Sequence, residues 1–351
     1  MGGVEDFRTQ AQACARLGSP MYADLITRLA DDLQAGGVTA TLVAPYADAP
    51  GPAAIALRLV GGLHRLVLDG QVPELAEYYP SVGGQYDGDA AWSLVQAALR
   101  DHVDALAQTM TSPPQTNEVG RSAALMAGLL SLGEPAGLPV RLFEIGAGAG
   151  LNLLVDRYRF VDEAGGEYGD PQSPVVIDHA WPARALSART VTVTERLGCD
   201  ISPISLRSDA DENRLLSYVW PDMTVRFERA RAAAQIARAD PPTVRQQRAL
   251  DFVSELTIEE DALTVLWHSV MWQYVDPPER DGILELVAAL SAQSSDSSPL
   301  LHLRLEPRRR KPGGEHEFLL AADLCRGAGK STIVAHAAPH GPPVEWEVEW
   351  E

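Results

Sequence analysis

A chain of 351 residues, 46% hydrophobic and 22% charged, has the make-up of a folded globular protein and is long enough to bury a substantial core. Its formal net charge of −19 excludes a nucleic-acid partner unless the few cations gather on one face, and no run approaches the roughly 20 apolar residues of a membrane span. Cys14, Cys199 and Cys325 lie far apart without a CxxC pair, and the N-terminus lacks a signal-peptide pattern, so buried free thiols in a cytoplasmic protein are expected.

The first third reads as helices. In "SPMYADLITRLADDLQAGG" Ser19 can cap, Pro20 suits the first turn, apolar residues recur at Leu25, Ile26, Leu29 and Leu33, and Gly36 with Gly37 can end the helix. Further helical patterns run through "AAIALRLVGGLHRLVLDG", "DAAWSLVQAALRDHVDALAQTM" and "NEVGRSAALMAGLLSLG". From about residue 139 short apolar runs alternate with helices. "VRLFEIG" reads as a strand, "LNLLVDRY" as a helix, "ALTVLWHSV" as a strand, "PERDGILELVAALSA" as a helix and "LLHLRLE" as a strand. The C-terminal "PVEWEVEWE" alternates Val344, Trp346, Val348 and Trp350 with glutamates, as a half-buried antiparallel or edge strand would. The expected fold is therefore α/β, with a mostly parallel sheet, an antiparallel strand near the C-terminus and an N-terminal helical region, divided as 1–138 and 139–351.

"VRLFEIGAGAGLNLL" carries the chemistry. Glycine adopts backbone angles that other residues resist and lets a ligand approach the chain, and in open α/β sheets ligands lie at the carboxyl ends of strands. Gly146, Gly148 and Gly150 form G-x-G-x-G, whereas a dinucleotide fingerprint would need glycine at Leu151, which weakens an NAD reading. Glu144, two residues earlier, suits a ligand with fixed positive charge by Coulomb attraction.

Glu144, Gly146, Gly148 and Gly150 resemble the first motif, E/D-x-G-x-G-x-G, of class I S-adenosylmethionine-dependent methyltransferases. The resemblance implies that this turn, with Asn152 just beyond it, holds S-adenosylmethionine. "ERLGCDISPISL" is similar to the segment whose acid receives the ribose hydroxyls, which makes that acid Asp200, and "QRALDFVSEL" to the segment whose acid meets the adenine amino group, which makes it Asp251. Asp200 follows the turn by about 50 residues rather than the usual ~20. Either "EYGDPQSPVVIDHAWPARAL" is an insertion, or it is the second strand and Asp178 takes the ribose.

Taken whole, the chain resembles a bacterial family known as domain of unknown function 2332, through "QTNEVGRSAAL", "GAGAGLNLLVDRYRF", "GDPQSP", "RLGCDISP", "YVWPD" and "WHSVMWQY". The resemblance implies a methyltransferase-like fold and assigns no catalytic residue. In "WHSVMWQY", His268 can serve as a base near neutral pH or be a structural histidine bonded to a carbonyl, and Tyr274 or Trp272 can wall an acceptor. Asn117, Glu118 and Arg121 open a helix before the first strand, where Arg121 can take a carboxylate of cofactor or substrate, or the group can cap the helix. Asp156 and Arg157 read as an ion pair.

Other features carry less. "RRRK" at Arg308–Lys311 reads as a solvated loop and "SAQSSDSSP" as a flexible connection. "RGAGKST" lacks the first phosphate-loop glycine, because position 324 is Leu324, and Pro339 between His336 and His340 opposes a helical metal pair, so no metal is expected. The expected function is methyl transfer from S-adenosylmethionine to a small-molecule acceptor, without nucleic acid or membrane; the alternative is a non-catalytic nucleoside-binding or scaffold protein of the same fold.

Overall fold

The computed structural model describes residues 2–47, 53–112, 114–115, 117–131, 137–182, 186, 190–311, 313–327 and 332–347. The chain forms two units, Met1–Thr116 with Arg207–Arg231, and Asn117–Leu206 with Ala232–Glu351.

The first unit is helical. It contains α1 (Gly2–Arg16), α2 (Pro20–Gln34), α3 (Val38–Val43), α4 (Ile55–Leu68), α5 (Pro73–Ala76), α6 (Gly88–Asp101) and α7 (Val103–Met110). α8 (Ser122–Leu130) belongs to the second unit; α9 (Asp209–Leu216) and the start of α10 (Thr224–Ala239) return to the first. α2 forms as its sequence signals direct. Ser19 accepts from the Tyr22 amide, Pro20 occupies the first turn, and Met21, Tyr22, Leu25, Ile26 and Leu29 face the core. Asp222 completes the cap, receiving the Ser19 hydroxyl at 2.6 Å and the Met21 amide at 2.9 Å. The pattern expected to run unbroken through residues 89–110 is two helices, interrupted at His102.

His64 on α4 is fully buried. Its Nδ1 contacts the Ser217 carbonyl at 3.1 Å and its Nε2 the Ser81 hydroxyl at 2.8 Å. Burial pushes its pKa down from 6.5 to about 3, so it is a neutral core histidine.

The second unit is built on a sheet. β1 (Val140–Ile145), β5 (Val193–Asp200), β6 (Thr243–Gln246), β7 (Leu263–Ser269), β8 (Leu300–Arg308), β9 (Glu317–Cys325), β10 (Thr332–Ala338) and β11 (Gly341–Trp346) stand in the order β11-β10-β9-β8-β7-β1-β5-β6. The strands from β6 to β8 are parallel, and β8 to β11 pair antiparallel. The protein is thus mixed α/β, and its antiparallel part is larger than the single strand expected. α11 (Ala249–Ser254) and α12 (Pro277–Gln293) supply residues such as Phe252 and Ile283 to the core formed with Phe143, Ile145 and Leu266 of the sheet.

Two elements differ from the sequence reading, and a third decides between its alternatives. The units divide at 116/117 rather than 138/139, because all nine residues of α8 are buried and a helix without a polar face must be enclosed. Gly128 of α8 lies directly against Leu303 of β8. "LNLLVDRY" forms a kinked 3-10 helix, Leu151–Arg157, with non-helical angles at Leu154. The stretch "EYGDPQSPVVIDHAW" supplies β3 (Glu167–Gly169) and β4 (Val176–Ile177), which flank the preceding β2 (Arg159–Val161) in a small separate sheet, β3-β2-β4, around a buried Trp181 stacked on Phe160. It stands apart from the main sheet, and Asp200, not Asp178, ends the strand beside β1.

Cys14, Cys199 and Cys325 are free and buried. The serine-rich connection is held by hydrogen bonds, Ser294 to the Ser291 carbonyl and Ser295 to Ser298. In the C-terminal strand Val344 is buried and Glu345 exposed, as alternation requires, whereas Val348 and Trp350 lie outside the described residues, as do 328–331 of the phosphate-loop-like stretch. Among the described residues no helix is long and apolar enough to cross a membrane.

Candidate functional site

β1 has β5 on one side and β7 on the other, so successive strands leave it in opposite directions and the order reverses between β1 and β7. The carboxyl end of such a reversal is where open sheets hold ligands. The glycine turn lies there. Gly146, Gly148 and Gly150 have φ of +71°, +59° and +77°, which explains three glycines in five positions without reference to any ligand.

The turn's amides can be accounted for one by one. Ala147 donates to the Cys199 carbonyl, Gly148 to Asp200 Oδ2 at 2.9 Å, and Gly150 to the Ala147 carbonyl. Ala149 and Leu151 both donate to Asn117 Oδ1, at 3.2 and 3.0 Å. The space a side chain would take is also occupied. A Cβ on Gly146 would meet Met271 at 2.9 Å, one on Gly148 would meet Asn117 at 3.3 Å, and one on Gly150 would meet Pro242 at 2.8 Å. In this form the turn is covered by the protein's own atoms.

Beneath it, Glu144 is 1% exposed. Oε1 accepts from Asn152 Nδ2 at 3.3 Å, and Asn152 in turn accepts from the Ser122 hydroxyl at 2.7 Å. Oε2 makes no hydrogen bond of normal geometry, and the buried Trp267 indole N–H, likewise without an acceptor, lies within reach of the carboxyl. Burial raises the Glu144 pKa from 4.5 to about 8; Asn152 opposes the rise, Asp200 adds to it, and Arg121 and the Trp267 indole hold it back. The group is therefore largely a protonated acid at neutral pH.

The remaining candidates separate into those near the turn and those away from it. Asp200 binds the turn itself, with its other oxygen on the Ser202 amide at 2.8 Å. Arg121 donates to the Pro339 carbonyl at 3.2 Å while staying within electrostatic reach of Glu144. Asp251 is exposed on the first turn of α11. Tyr274 is 75% exposed in a 3-10 turn, Trp272–Tyr274, and walls no enclosed space. Asp156 and Arg157 do not pair with each other: Asp156 binds Arg196, and Arg157 binds Asp240. Arg310 of the basic run is paired with Glu317 and Glu347.

His268 is fully buried and bonded to a carboxylate, not to a carbonyl. Its Nδ1 lies 2.7 Å from Glu306 Oε1, which also accepts from the Met271 and Trp272 amides. A carboxylate acceptor assigns the proton to Nδ1 and leaves the lone pair on Nε2, which has no partner. Trp272 stacks on the ring at 4.9 Å. Burial pushes His268 below the usual imidazole range against the pull of Glu306, which keeps it neutral.

Among the described residues no three His, Cys, Asp or Glu side chains converge as a metal-ion site. A family model described as uncharacterised proteins conserved in bacteria, DUF2332, matches residues 4–346, nearly the whole chain. The chain belongs to DUF2332. No curated protein and no solved structure matches it.

In this DUF2332 member the residues that close the turn came from outside the glycine motif. Met271 covers Gly146, and Glu306 holds the Met271 amide. A signal for Glu306 was present in "LLHLRLE", where His302, Arg304 and Glu306 alternate with leucines on a buried strand, so one face had to be polar and internally paired. Arg304 indeed makes a two-pronged contact with Asp323, at 2.7 and 2.8 Å, and reaches His302 Nδ1 at 2.9 Å. For Met271 the sequence held no signal.

Proposed function

We propose that this chain binds S-adenosylmethionine at the carboxyl end of β1 and transfers its methyl group to a small-molecule acceptor in the cytoplasm. The parallel order β6-β5-β1-β7-β8 with its reversal at β1 and β7 is what a Rossmann-like methyltransferase sheet requires, and two of the three motif acids, Glu144 and Asp200, fall at the ends of two adjacent strands. The single observation that carries the reading is Glu144, a buried carboxyl at the base of the glycine turn with one oxygen that makes no hydrogen bond of normal geometry. A buried polar atom without a partner is unfavourable, and a cationic ligand would give it one. Asp200 would receive the ribose, and Met271 and Asn117 would have to withdraw from Gly146 and Gly148 for the ligand to enter.

The reaction is an in-line displacement. The acceptor's lone pair forms a bond to the methyl carbon while the carbon–sulfur bond breaks and its electrons discharge the sulfonium. Positioning and exclusion of water do most of this work. His268, neutral with a lone pair on Nε2, is the candidate to take a proton from the acceptor once the site opens to expose it.

The second reading, a non-catalytic protein of the same fold, is favoured by the occupied positions at all three glycines. Calorimetric titration with S-adenosylmethionine separates the two. The expected result is a saturable heat with proton release, because the ligand's cation returns Glu144 to its carboxylate; measurement in two buffers of different ionisation enthalpy reads the proton. Glu144→Gln should lose both signals. Absence of saturable heat with wild-type protein would remove the methyltransferase reading.

A further inference from the structure

The helical unit holds a feature that the glycine turn does not explain. A cleft of about 350 Å³ opens among α4, α7 and the α9 region, within the size range of small-molecule sites. It is lined by Arg65, Asp69, Gln108, Thr109, Arg214 and Tyr218, with few apolar side chains beside them. Two glycines of α4 shape it. Gly61 lies against the Tyr218 ring, where a Cβ would approach to 2.8 Å, and Gly62 lets α7 come close through Leu106 and Thr109.

The charges in this cleft are unequal in their commitments. Arg65 is engaged with Asp69 at 3.4 Å, and Asp69 also receives Asn213 Nδ2 at 2.8 Å. The Arg214 guanidinium has no carboxylate partner among the described residues, although acids outnumber Lys and Arg by 48 to 29 in the chain. Burial pushes the Tyr218 phenol up, and the positive charges of Arg214, Arg58 and Arg65 oppose the rise. Arg58 is held by the Ala53 and Met110 carbonyls and fixes the neighbouring backbone.

From this arrangement we infer that the cleft binds a small polar molecule bearing an oxyanion, a carboxylate or a phosphate. Arg214 takes the anion, Arg65 adds charge from the side, and Asp69, Gln108, Thr109 and Tyr218 hydrogen-bond the polar remainder of the ligand. A guanidinium in a half-buried cleft favours such a group because its planar donors match two oxygens at once. An apolar or cationic ligand would leave Arg214 desolvated and unpaired.

The test uses the full chain and two probes, inorganic phosphate and acetate, titrated at constant ionic strength while arginine side-chain resonances are followed by NMR. Saturable shifts of Arg214 with either probe are expected, and the probe that saturates identifies the anion. Arg214→Gln should weaken that binding about tenfold or more, with an unchanged circular dichroism melt because Arg214 forms no ion pair among the described residues. Arg16→Gln, at the exposed end of α1, should leave binding unchanged. Shifts that stay linear with both probes, or equal losses in the two variants, would overturn the inference.

Discussion

The glycine turn of the sheet unit and the cleft of the helical unit reverse what their sequences suggest. The turn carries a recognisable motif, yet Asn117 takes two of its amides, Asp200 a third, and Met271 lies against its first glycine. The cleft carries no motif, yet it is open and holds Arg214, which has no carboxylate partner among the described residues. Glycine spacing reports backbone angles, and all three φ values here are positive whichever atoms lie over the turn. A motif of this kind specifies a shape, and its occupant must be found separately.

The largest effects expected come from pH, and they run in opposite directions in the two units. His64 has its folded pKa at about 3 against 6.5 unfolded, so the unfolded chain gains a proton that the native helical unit refuses. That unit keeps its full stability above pH 6.5 and loses about 1.4 kcal/mol per pH unit as pH falls from 6.5 toward 3. Glu144, raised to about 8 from 4.5, holds a proton that the unfolded chain has released. The sheet unit is therefore most stable below pH 4.5 with respect to this group, and weakens at a similar rate as pH climbs from 4.5 toward 8. Hydrogen exchange read separately in each unit should show both slopes, with His64→Gln flattening only the first and Glu144→Gln only the second. Slopes unchanged in both variants would remove the basis of the contrast.

A smaller change tests how the turn is closed. Asn117→Ala leaves the Ala149 and Leu151 amides without an acceptor and should destabilise the sheet unit by about 2–4 kcal/mol in urea. Asn117→Asp, which keeps the acceptor, should stay close to wild type. S-adenosylmethionine that rescued the alanine variant would move the turn toward the cleft's side of the comparison. The smallest effect is expected at Gly62→Ala, whose Cβ would meet the flexible end of Leu106 at 2.9 Å; about 1 kcal/mol in thermal unfolding is the expected loss. A larger loss would show that α4 and α7 cannot separate, and that the cleft has a fixed width.

Local signals carried much of this architecture. The cap and apolar spacing of α2 were legible because Ser19, Pro20 and the Leu25–Leu29 spacing act within one helix. β1, β7 and β8 were legible as apolar runs bounded by turns. What escaped depends on partners distant in sequence. Nothing in "SYVWPD" reveals that Asp222 caps a helix beginning at Pro20, or that the Ser217 carbonyl meets His64. Of the candidate site, Glu144, the three glycines, Asn152 and Asp200 do meet around the turn, whereas Asp251 and Tyr274 are exposed and His268 is tied to Glu306. The covering by Met271 depends on a side chain arriving from the neighbouring strand's loop, which no local pattern encodes.

The Asp222 cap also bears on synthesis. α2 cannot receive that carboxylate until about 100 residues beyond Thr116 have left the ribosome, which at ordinary translation rates is roughly 5–20 s. During that interval the N-cap of α2 rests on Ser19 alone, and Trp220, which completes the same core, is also still to come.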